Sequence, residues 1–332
     1  MIAIIEIPKG DDRRRHIKYD KSGFIDLGPI KEIIPVNNGI MPVHYGYIPE
    51  TLNETEGDEI DILILSNKSF IVGEKIEVEP VALLRREDGD DKIVSVDETM
   101  QSIKSWDDIS PIEKELIESF FTYHHKFISF ENATVAMEYI EKGSRQFIMN
   151  KTKIILIYGN GNSTMNDHWL QYVKTEFEKH GLEVILKDFP DLPLAREEYW
   201  IPFLESLGAD EHTILIGHST GAIAAMRYAE THKILGSVLV GAYYTDGGDA
   251  NEKASGYFER PWNWESIKNN QQWIIQFSST DDPYIPVEEP RFVHKQLNTE
   301  YHEYTDQGHL GDDVKKTTFP ELVEVVINKI KS

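Results

Sequence analysis

The stretch Ile214-Leu215-Ile216-Gly217-His218-Ser219-Thr220-Gly221-Ala222 decides the fold of the C-terminal half of the chain. Its apolar start predicts a buried strand, and the pattern G-x-S-x-G is followed at once by a helical segment. Only small residues fit beside the serine in so tight a turn, which lifts the Ser219 hydroxyl above the strand at the helix N-terminus. The pattern predicts a nucleophile elbow; the alternative is a serine in an ordinary strand–helix turn.

A serine nucleophile needs a general base, and the base needs a carboxylate that orients it. In folds with this elbow the three groups follow in the order Ser, Asp, His. His309 comes after the last predicted strand and is the predicted base. Two neighbouring acids follow the strand before it. Asp282 is preferred over Asp281 because it lies four residues before Pro286.

Two backbone N–H groups are expected to form the oxyanion hole. One belongs to Thr220, directly after the nucleophile. The other comes from the loop Gly159-Asn160-Gly161-Asn162, where Asn160 is the first choice and Gly161 the second. This loop lacks the spacing of a dinucleotide or nucleotide phosphate loop, so a nucleotide cofactor is not expected.

Strands and helices alternate from residue 152 to 332, which predicts an α/β domain with a doubly wound parallel sheet. Strands are expected at 154–158, 183–186, 213–216, 237–240, 273–277 and 301–304, and helices from about 167, at 196–207 and 222–231, and from 320. The domain boundary is expected in the polar segment 141–152, which contains Gly143.

The first 145 residues read as a small β-rich domain with late helices. Strands rich in Ile and Val are expected at 1–7, 60–65, 75–84 and 92–96, separated by Gly, Pro, Asn and Asp. A helix is predicted from Pro111 to His124, with Ser110 as its N-cap, and a shorter one near 132–141.

The second half resembles the small serine hydrolases typified by retinoblastoma-binding protein 9. The similar stretches are 217–232, Ala254-Ser255-Gly256-Tyr257-Phe258-Glu259-Arg260-Pro261-Trp262 and Thr280-Asp281-Asp282-Pro283. The resemblance implies a compact α/β-hydrolase with the triad Ser219, Asp282 and His309 that cleaves a small ester or amide without a cofactor. It also implies that four aromatic residues lie near the substrate mouth: Tyr257, Phe258, Trp262 and Trp264. The alternative is that these four residues only pack against helices and do not line the substrate site. The partner-binding pattern L-x-C-x-E of the namesake lacks its cysteine at Ala209, so that interaction is not expected here.

Acidic residues crowd two turns of the first half. Glu56, Asp58 and Asp61 precede or begin one strand, and the run 87–92 leads into another. Carboxylates this close repel one another unless hard cations lie between them, and oxygen-only ligands suit Mg²⁺ or Mn²⁺. The alternative is a pair of solvated acidic turns.

The first half resembles the soluble family I inorganic pyrophosphatases over about residues 1–142. The similar motifs are Ile5-Glu6-Ile7-Pro8, Ile17-Lys18-Tyr19, Tyr45-Gly46-Tyr47-Ile48-Pro49, Gly57-Asp58-Glu59-Ile60-Asp61, Asp90-Asp91-Lys92 and Phe130-Glu131-Asn132-Ala133. The resemblance implies a β-barrel with helices and Mg²⁺-dependent hydrolysis of diphosphate. It implies metal ligands at Glu56, Asp61 and Asp90, with Glu87 or Asp88 as a fourth, and an Asp58 that helps to activate water. The residues implied around the phosphates are Glu6, Lys18, Asp20, Tyr45, Lys92 and Lys126.

The first half departs from that family's pattern at four places. Glu56 replaces the first Asp of the D-G-D-x-x-D signature, and Leu27 falls where the family has a phosphate-binding Arg. Met41 replaces a Tyr, and His125-Lys126 replaces a Tyr-Lys pair. Loss of the Arg removes a strong charge-assisted contact to phosphate.

Composition excludes several classes of protein. The net charge of −23 over 332 residues opposes binding to nucleic acid or to anionic lipid. The absence of cysteine excludes disulfides and a cysteine nucleophile, and no apolar run is long enough to span a membrane. We expect a cytoplasmic, bifunctional hydrolase of small molecules that forms a homo-oligomer. The alternative is a serine hydrolase whose first domain is an inactive, pyrophosphatase-like oligomerisation module.

Overall fold

The computed structural model describes residues 1–18, 20–161 and 163–331. Tyr19 of the Ile17-Lys18-Tyr19 motif and Asn162 of the Gly-rich loop lie outside the described residues. The chain divides into two compact units, one from Met1 to Ile148 and the other from Met149 onward. No helix among the described residues combines the length and the apolar character that crossing a bilayer requires.

The first unit is built around a mixed sheet. Its strands are β1 (Ile2–Ile7), β2 (Arg13–Ile17), β3 (Phe24–Pro29), β4 (His44–Asn53), β5 (Asp58–Leu65), β6 (Lys75–Glu77), β7 (Glu79–Arg86), β8 (Lys92–Val96) and β9 (Phe127–Asn132), and its helices are α1 (Pro111–Phe121) and α2 (Ala133–Lys151). Seven strands pair in the order β6-β1-β4-β5-β8-β7-β9, and β2 pairs with β3 in a separate ribbon. Among the described strands of this unit, β5 and β8 are the one parallel pair. The predicted barrel is not confirmed, since no pairing closes β6 onto β9 in the described part of the chain.

Strands β2, β3, β4 and β9 were not predicted, and helix α2 is longer than expected. This helix begins close to the predicted position but continues through the segment 141–152 that was expected to hold the domain boundary. Gly143 explains the difference. A Cβ at this position would lie 2.4 Å from the Cδ1 of Ile60 on β5, so the glycine allows the helix to lie close to the sheet. Helix α1 has the predicted N-cap, because the Ser110 side chain accepts the Glu113 N–H, but it ends three residues before His124.

The second unit contains a six-stranded sheet. Its strands are β10 (Lys153–Ile157), β11 (Glu183–Ile185), β12 (Thr213–His218), β13 (Gly236–Val240), β14 (Trp273–Ser279) and β15 (Glu300–Tyr304), and its helices are α3 (Leu170–Lys179), α4 (Glu197–Ser206), α5 (Thr220–Ala229), α6 (Ala250–Ala254), α7 (Trp264–Asn269), α8 (Glu288–Leu297) and α9 (Pro320–Lys331). The strand order is β11-β10-β12-β13-β14-β15, and every pairing is parallel. The predicted parallel sheet is confirmed. Helices α6, α7 and α8 were not predicted.

The parallel sheet places the candidate residues at one edge. Ser219 follows β12, Asp282 follows β14 and His309 follows β15. Because parallel strands point the same way, the loops at their carboxyl ends meet at a single edge of the sheet, where open α/β sheets bind ligands. The inner strands β10, β12, β13 and β14 are almost fully buried and form the core of this unit with the helices packed on them, whereas the edge strands β11 and β15 are partly exposed.

Candidate active sites

The turn between β12 and α5 has the geometry of a nucleophile elbow. Ser219 adopts φ 55° and ψ −124°, a conformation that non-glycine residues rarely adopt. A Cβ on Gly217 would lie 2.3 Å from the carbonyl oxygen of Gly221, and one on Gly221 would lie 2.3 Å from the carbonyl oxygen of Ile157. Both glycines are therefore required by the close approach of the helix to the sheet, and the strained serine lies directly before the helix N-terminus.

His309 is held by Asp282. Its Nδ1 lies 2.7 Å from an Asp282 carboxylate oxygen, and the two side chains are 11% and 4% exposed. The other Asp282 oxygen accepts the backbone N–H groups of Tyr284 and Ile285 at 2.8 and 3.0 Å. These contacts fix the carboxylate, so that the Nε2 of His309 is the nitrogen that remains for proton transfer.

The neighbouring Asp281 has a different role. Its carboxylate accepts the N–H of Gly308 at 2.9 Å and the hydroxyl of Ser279 at 2.5 Å, and so braces the loop that carries His309. Of the two candidate acids, Asp282 is the one in contact with the imidazole.

Ser219 and His309 both line a pocket of about 710 Å³ in the second unit. The Ser219 hydroxyl and the His309 Nε2 form no hydrogen bond with each other in the described structure. Catalytic hydrogen bonds of this kind are often long in ligand-free enzymes and shorten when substrate binds. The pocket also exposes the Gly-rich loop at Gly159, Asn160 and Gly161.

The side chains of Asn160 and Thr220, the two residues predicted to form the oxyanion hole, both donate to one carboxylate. This carboxylate was not predicted from the sequence. Glu252 on α6 accepts the side-chain amide of Asn160 at 2.6 Å and the hydroxyl of Thr220 at 3.2 Å. The Tyr243 hydroxyl lies 3.0 Å from the same Thr220 hydroxyl, and burial raises the pKa of Glu252. Gly161, the second choice, already donates its N–H to the Pro193 carbonyl at 3.4 Å. No local motif marks Glu252, which is 92 residues from Asn160 in sequence.

The four aromatic residues expected at the substrate mouth pack instead within the unit. None of them lines the pocket that contains Ser219. Tyr257 is completely buried, and the Arg227 guanidinium lies 3.6 Å from the ring centroid of Trp262. Arg227 also donates to the Tyr257 and Arg260 carbonyls. The expectation that these four residues lie at the substrate mouth is therefore wrong. Tyr257 and Trp262 instead contact the buried Arg227, whose charge is stabilised by carbonyl oxygens and an aromatic ring.

A buried histidine next to the nucleophile predicts sensitivity to acid. Burial holds the pKa of His218 well below its usual value, and the Nε2 of His218 contacts the His309 carbonyl at 2.8 Å. The neighbouring His168 also has a lowered pKa because it is buried. The unfolded chain takes up these protons near pH 6.5 and the folded chain does not, so stability is complete above that pH and falls below it. The expected slope is at most about 1.4 kcal/mol per pH unit for each histidine.

This prediction is checked by urea unfolding of the full chain between pH 7 and pH 5, followed by tryptophan fluorescence. His218→Gln is expected to flatten the fall in stability, whereas His180→Gln, at an exposed position, is the matched control and should leave it unchanged. Equal slopes in the wild type and both variants would contradict the assignment.

In the first unit, four of the predicted phosphate and metal residues lie together: Tyr45, Asp61, Asp90 and Lys92. The Lys92 side chain is 3% exposed and its ammonium group forms ion pairs with Asp61 and Asp90, and the Tyr45 hydroxyl donates to Asp61 at 2.5 Å. Burial opposes the charge on Lys92, but the two carboxylates outweigh burial and raise its pKa. Burial, reinforced by Asp61, raises the pKa of Asp58 to about 6.

The predicted metal ligands are not gathered around one point. Arg86 donates to Asp90 at 2.9 Å and to Asp88 at 2.7 Å, while Glu87 is exposed and accepts the Lys126 backbone N–H. Glu56 is also exposed. Among the described residues no group of three or more acidic or histidine side chains is placed to hold a metal ion. In this arrangement the carboxylates of Asp61, Asp88 and Asp90 are paired with Lys92 and Arg86, so the metal assignment is not confirmed and stays a prediction.

Four of the predicted residues share a cavity of about 430 Å³ in the first unit: Glu6, Tyr45, Asp90 and Lys92. The others do not line it. Lys18, Asp20 and Lys126 are exposed, and Asp58 faces the His16 ring at 3.9 Å. Leu27 and Met41, two of the four departures from the pyrophosphatase pattern, are part of the cavity wall.

Comparison with known proteins assigns both halves. The family model described as serine hydrolase matches residues 154–328, and the one described as inorganic pyrophosphatase matches residues 3–153. The serine hydrolase RBBP9 of Rattus norvegicus is 48% identical over 178 residues, which cover 53% of this chain and 94% of that protein. An inorganic pyrophosphatase of Saccharolobus solfataricus is 32% identical over 130 residues, which cover 37% of this chain and 72% of that protein.

One solved structure is similar to the second half at the level of fold alone. The crystal structure of the ydeN gene product of Bacillus subtilis matches with a TM-score of 0.51 and 19% identity, covering 55% of this chain and 100% of that chain. The two family matches show that the chain is a hydrolase with two hydrolase domains. Its first half belongs to the inorganic pyrophosphatase family, and its second half belongs to the serine hydrolase family.

Proposed function

We propose that the chain is a bifunctional hydrolase. The second domain cleaves a small ester or amide with Ser219, His309 and Asp282, and the first domain hydrolyses inorganic diphosphate. The observation that carries the proposal is the strained Ser219 at the elbow, in the same pocket as a His309 whose Nδ1 is bound to Asp282.

The proposed reaction at the second site develops a positive charge on His309 and a negative charge on the substrate oxygen. The Nε2 of His309 accepts the proton of the Ser219 hydroxyl as its oxygen attacks the carbonyl carbon, and Asp282 stabilises the imidazolium. The backbone N–H groups of Thr220 and Asn160 donate to the oxyanion. The imidazolium then protonates the leaving alcohol or amine, and water releases the acyl group from the serine by the same route. No cofactor takes part in these steps.

For the first site, support comes from membership of the pyrophosphatase family and from the cavity shared by Tyr45, Asp90 and Lys92. We propose that Asp58 activates the attacking water and that Lys18, Lys92, Lys126 and Tyr45 hold the phosphates. Mg²⁺, or Mn²⁺ in its place, is the proposed cofactor, with Glu56, Asp61, Asp90 and Glu87 as the ligands to be tested. Asp61 and Asp90 form ion pairs with Lys92, and these pairs would have to break before either carboxylate could bind a metal ion. No step of hydrolysis is therefore assigned to the metal ion.

Phosphate release from diphosphate tests this half of the proposal. We expect release by the intact chain in millimolar Mg²⁺ and little in excess EDTA. Asp61→Asn is expected to lower the rate by at least about tenfold, because a buried Lys92 loses one of its two carboxylates and the cation loses a ligand. Asp107→Asn is the matched control, since that side chain is 95% exposed, and it should leave the rate unchanged. If no phosphate is released in the presence of Mg²⁺ or of Mn²⁺, the alternative that the first domain is an inactive oligomerisation module is favoured.

We further propose that the chain forms a homo-oligomer. The charge of −23 per chain opposes association, so the contact should be apolar at its centre. Light scattering at micromolar concentration is expected to give a multiple of the 38.2 kDa chain mass. A monomer under these conditions would end this idea.

A further inference from the structure

The loop after β10 lies directly against the proposed nucleophile of the second domain. A Cβ on Gly159 would lie 3.1 Å from the Cβ and 3.6 Å from the Oγ of Ser219, so the backbone of this loop approaches the serine closely. The next N–H along the chain belongs to Asn160, and it donates to no acceptor among the described residues. The Thr220 N–H likewise has no acceptor in that part of the chain. Within the described residues, the two N–H groups proposed for the oxyanion hole are therefore left for a substrate oxygen.

One oxygen atom of Glu252 joins the two segments that carry these N–H groups. Its Oε1 accepts the side-chain amide of Asn160 at 2.6 Å and the hydroxyl of Thr220 at 3.2 Å. Thr220 is completely buried, and the Tyr243 hydroxyl lies 3.0 Å from its hydroxyl. Because Asn160 follows β10 and Thr220 begins α5, this oxygen fixes the spacing between the loop and the helix N-terminus.

The backbone of Glu252 is itself anchored. Asp249 caps helix α6, and its carboxylate accepts the N–H groups of Asn251 and Glu252 at 2.8 and 3.0 Å. The Ser255 hydroxyl donates to the Glu252 carbonyl at 2.6 Å. The carboxylate therefore extends from a fixed point into the pocket that also contains Ser219.

The contacts of Glu252 differ from those of the triad carboxylate. The imidazole of His309 is bound by Asp282, and no hydrogen bond or ion pair joins Glu252 to the imidazole within the described part of the chain. The Oε2 of Glu252 is buried and has no partner among the described residues. Burying a carboxylate costs free energy, and the hydrogen bonds that offset this cost include those from Asn160 and Thr220. The carboxylate is therefore placed to act on the oxyanion residues and not on the general base.

We propose that Glu252 is a positioning residue of the oxyanion hole, whose Oε1 holds Asn160 and Thr220 so that their backbone N–H groups reach the same substrate oxygen. The inference rests on the proposed serine hydrolysis and adds one residue to it. Negative charge on that oxygen develops only as the reaction proceeds, so misplaced donors slow catalysis more than they weaken substrate binding.

Steady-state hydrolysis of p-nitrophenyl acetate by the full chain tests the inference. Glu252→Ala removes the bridging oxygen and is expected to lower kcat by about 10²-fold while KM changes by less than about threefold. Glu252→Gln keeps an oxygen that can accept from both Asn160 and Thr220, so kcat should stay within about threefold of the wild type. Glu259→Ala removes an exposed carboxylate outside the pocket and should change neither constant.

Two further variants separate position from charge and from loss of folding. Glu252→Asp keeps the charge but is one methylene shorter, so it should lower kcat and provides the same test if the alanine variant unfolds. Asn160→Ala removes the amide that Glu252 holds and keeps the backbone N–H, and it should lower kcat by about tenfold. Combining it with Glu252→Ala should lower kcat by no more than about twofold below Glu252→Ala alone, because both changes remove the same contact.

Unchanged kcat in Glu252→Ala and Glu252→Asp would overturn the inference. A higher KM with unchanged kcat would also overturn it, since the carboxylate would then be a contact to bound substrate. So would a Gln variant as slow as the Ala variant, or fully additive effects of Glu252→Ala and Asn160→Ala. Ester hydrolysis that survives in Ser219→Ala would instead reject the proposed function. Activity that is lost in Ser219→Ala but complete in Glu252→Ala would reject this inference alone.

Discussion

Replacing Ser219 by alanine is expected to lower kcat for an activated ester by about 10³-fold or more. The hydroxyl at the elbow is the proposed nucleophile, and nucleophile and base act as a unit, so little residual acyl transfer should remain. The strained backbone at this position is set by Gly217 and Gly221 and should persist in the variant. The measurement is steady-state hydrolysis of p-nitrophenyl acetate.

Two controls accompany this variant. Ser206→Ala removes an exposed hydroxyl at the end of α4 and should leave ester hydrolysis unchanged. Phosphate release from diphosphate by Ser219→Ala should equal that of the wild type, because the two chemistries lie in separate domains. Ester hydrolysis that survives in Ser219→Ala would place the nucleophile elsewhere.

Replacing Asp282 by asparagine is expected to lower kcat by about 10³- to 10⁴-fold. The carboxylate accepts a hydrogen bond from the Nδ1 of His309 and stabilises its positive charge, and an amide in its place favours the wrong tautomer. Thermal unfolding should change little, because the variant can keep the oxygen that accepts the Tyr284 and Ile285 N–H groups. The measurement is kcat for the same ester, with the unfolding midpoint recorded alongside.

Asp281→Asn is the matched control for Asp282→Asn. Its carboxylate contacts Gly308 and Ser279 and does not touch the imidazole. The neutral side chain can still accept from the Gly308 N–H, so kcat should fall by less than about tenfold. A larger loss in Asp281→Asn than in Asp282→Asn would reverse the assignment of the two acids.

The elbow and its partners were predictable because their requirements are local. A strand, a turn between two glycines and a helix are adjacent in sequence, and chain order indicates where the acid and the base follow. The hydrogen bond between His309 and Asp282 spans 27 residues, yet both residues lie at strand ends that a parallel sheet brings together. Catalytic roles for these residues remain predictions until the variants are measured.

Contacts that join distant elements were not predictable. Glu252 belongs to a five-residue helix with no motif, and it meets Asn160 only because their loops pack together. Strand β2 was missed because Arg13–Ile17 is rich in charge, and β4 was missed because it contains Gly46 and Pro49, residue types that usually mark turns. Gly143 suggested a break, whereas its missing side chain allows helix α2 to approach Ile60.

The acidic turns of the first domain show why a metal site could not be predicted reliably from the spacing of acidic residues. Their spacing indicated a metal site, but spacing cannot reveal which cations the fold supplies. Lys92 on β8 and Arg86 on β7 each bind two of the acids in that region. Lys92 and Arg86 compete with a divalent ion for these carboxylates, and the outcome depends on tertiary geometry. The metal dependence of diphosphate hydrolysis must therefore be measured.

Ser219 is the proposed nucleophile of the second domain. The most direct test of this role is to react the full chain with a fluorophosphonate probe, digest it, and locate the adduct by mass spectrometry. We expect one modified peptide, containing Ser219, with loss of ester hydrolysis in proportion to labelling. An adduct on another residue, or full loss of activity with Ser219 unmodified, would contradict this role.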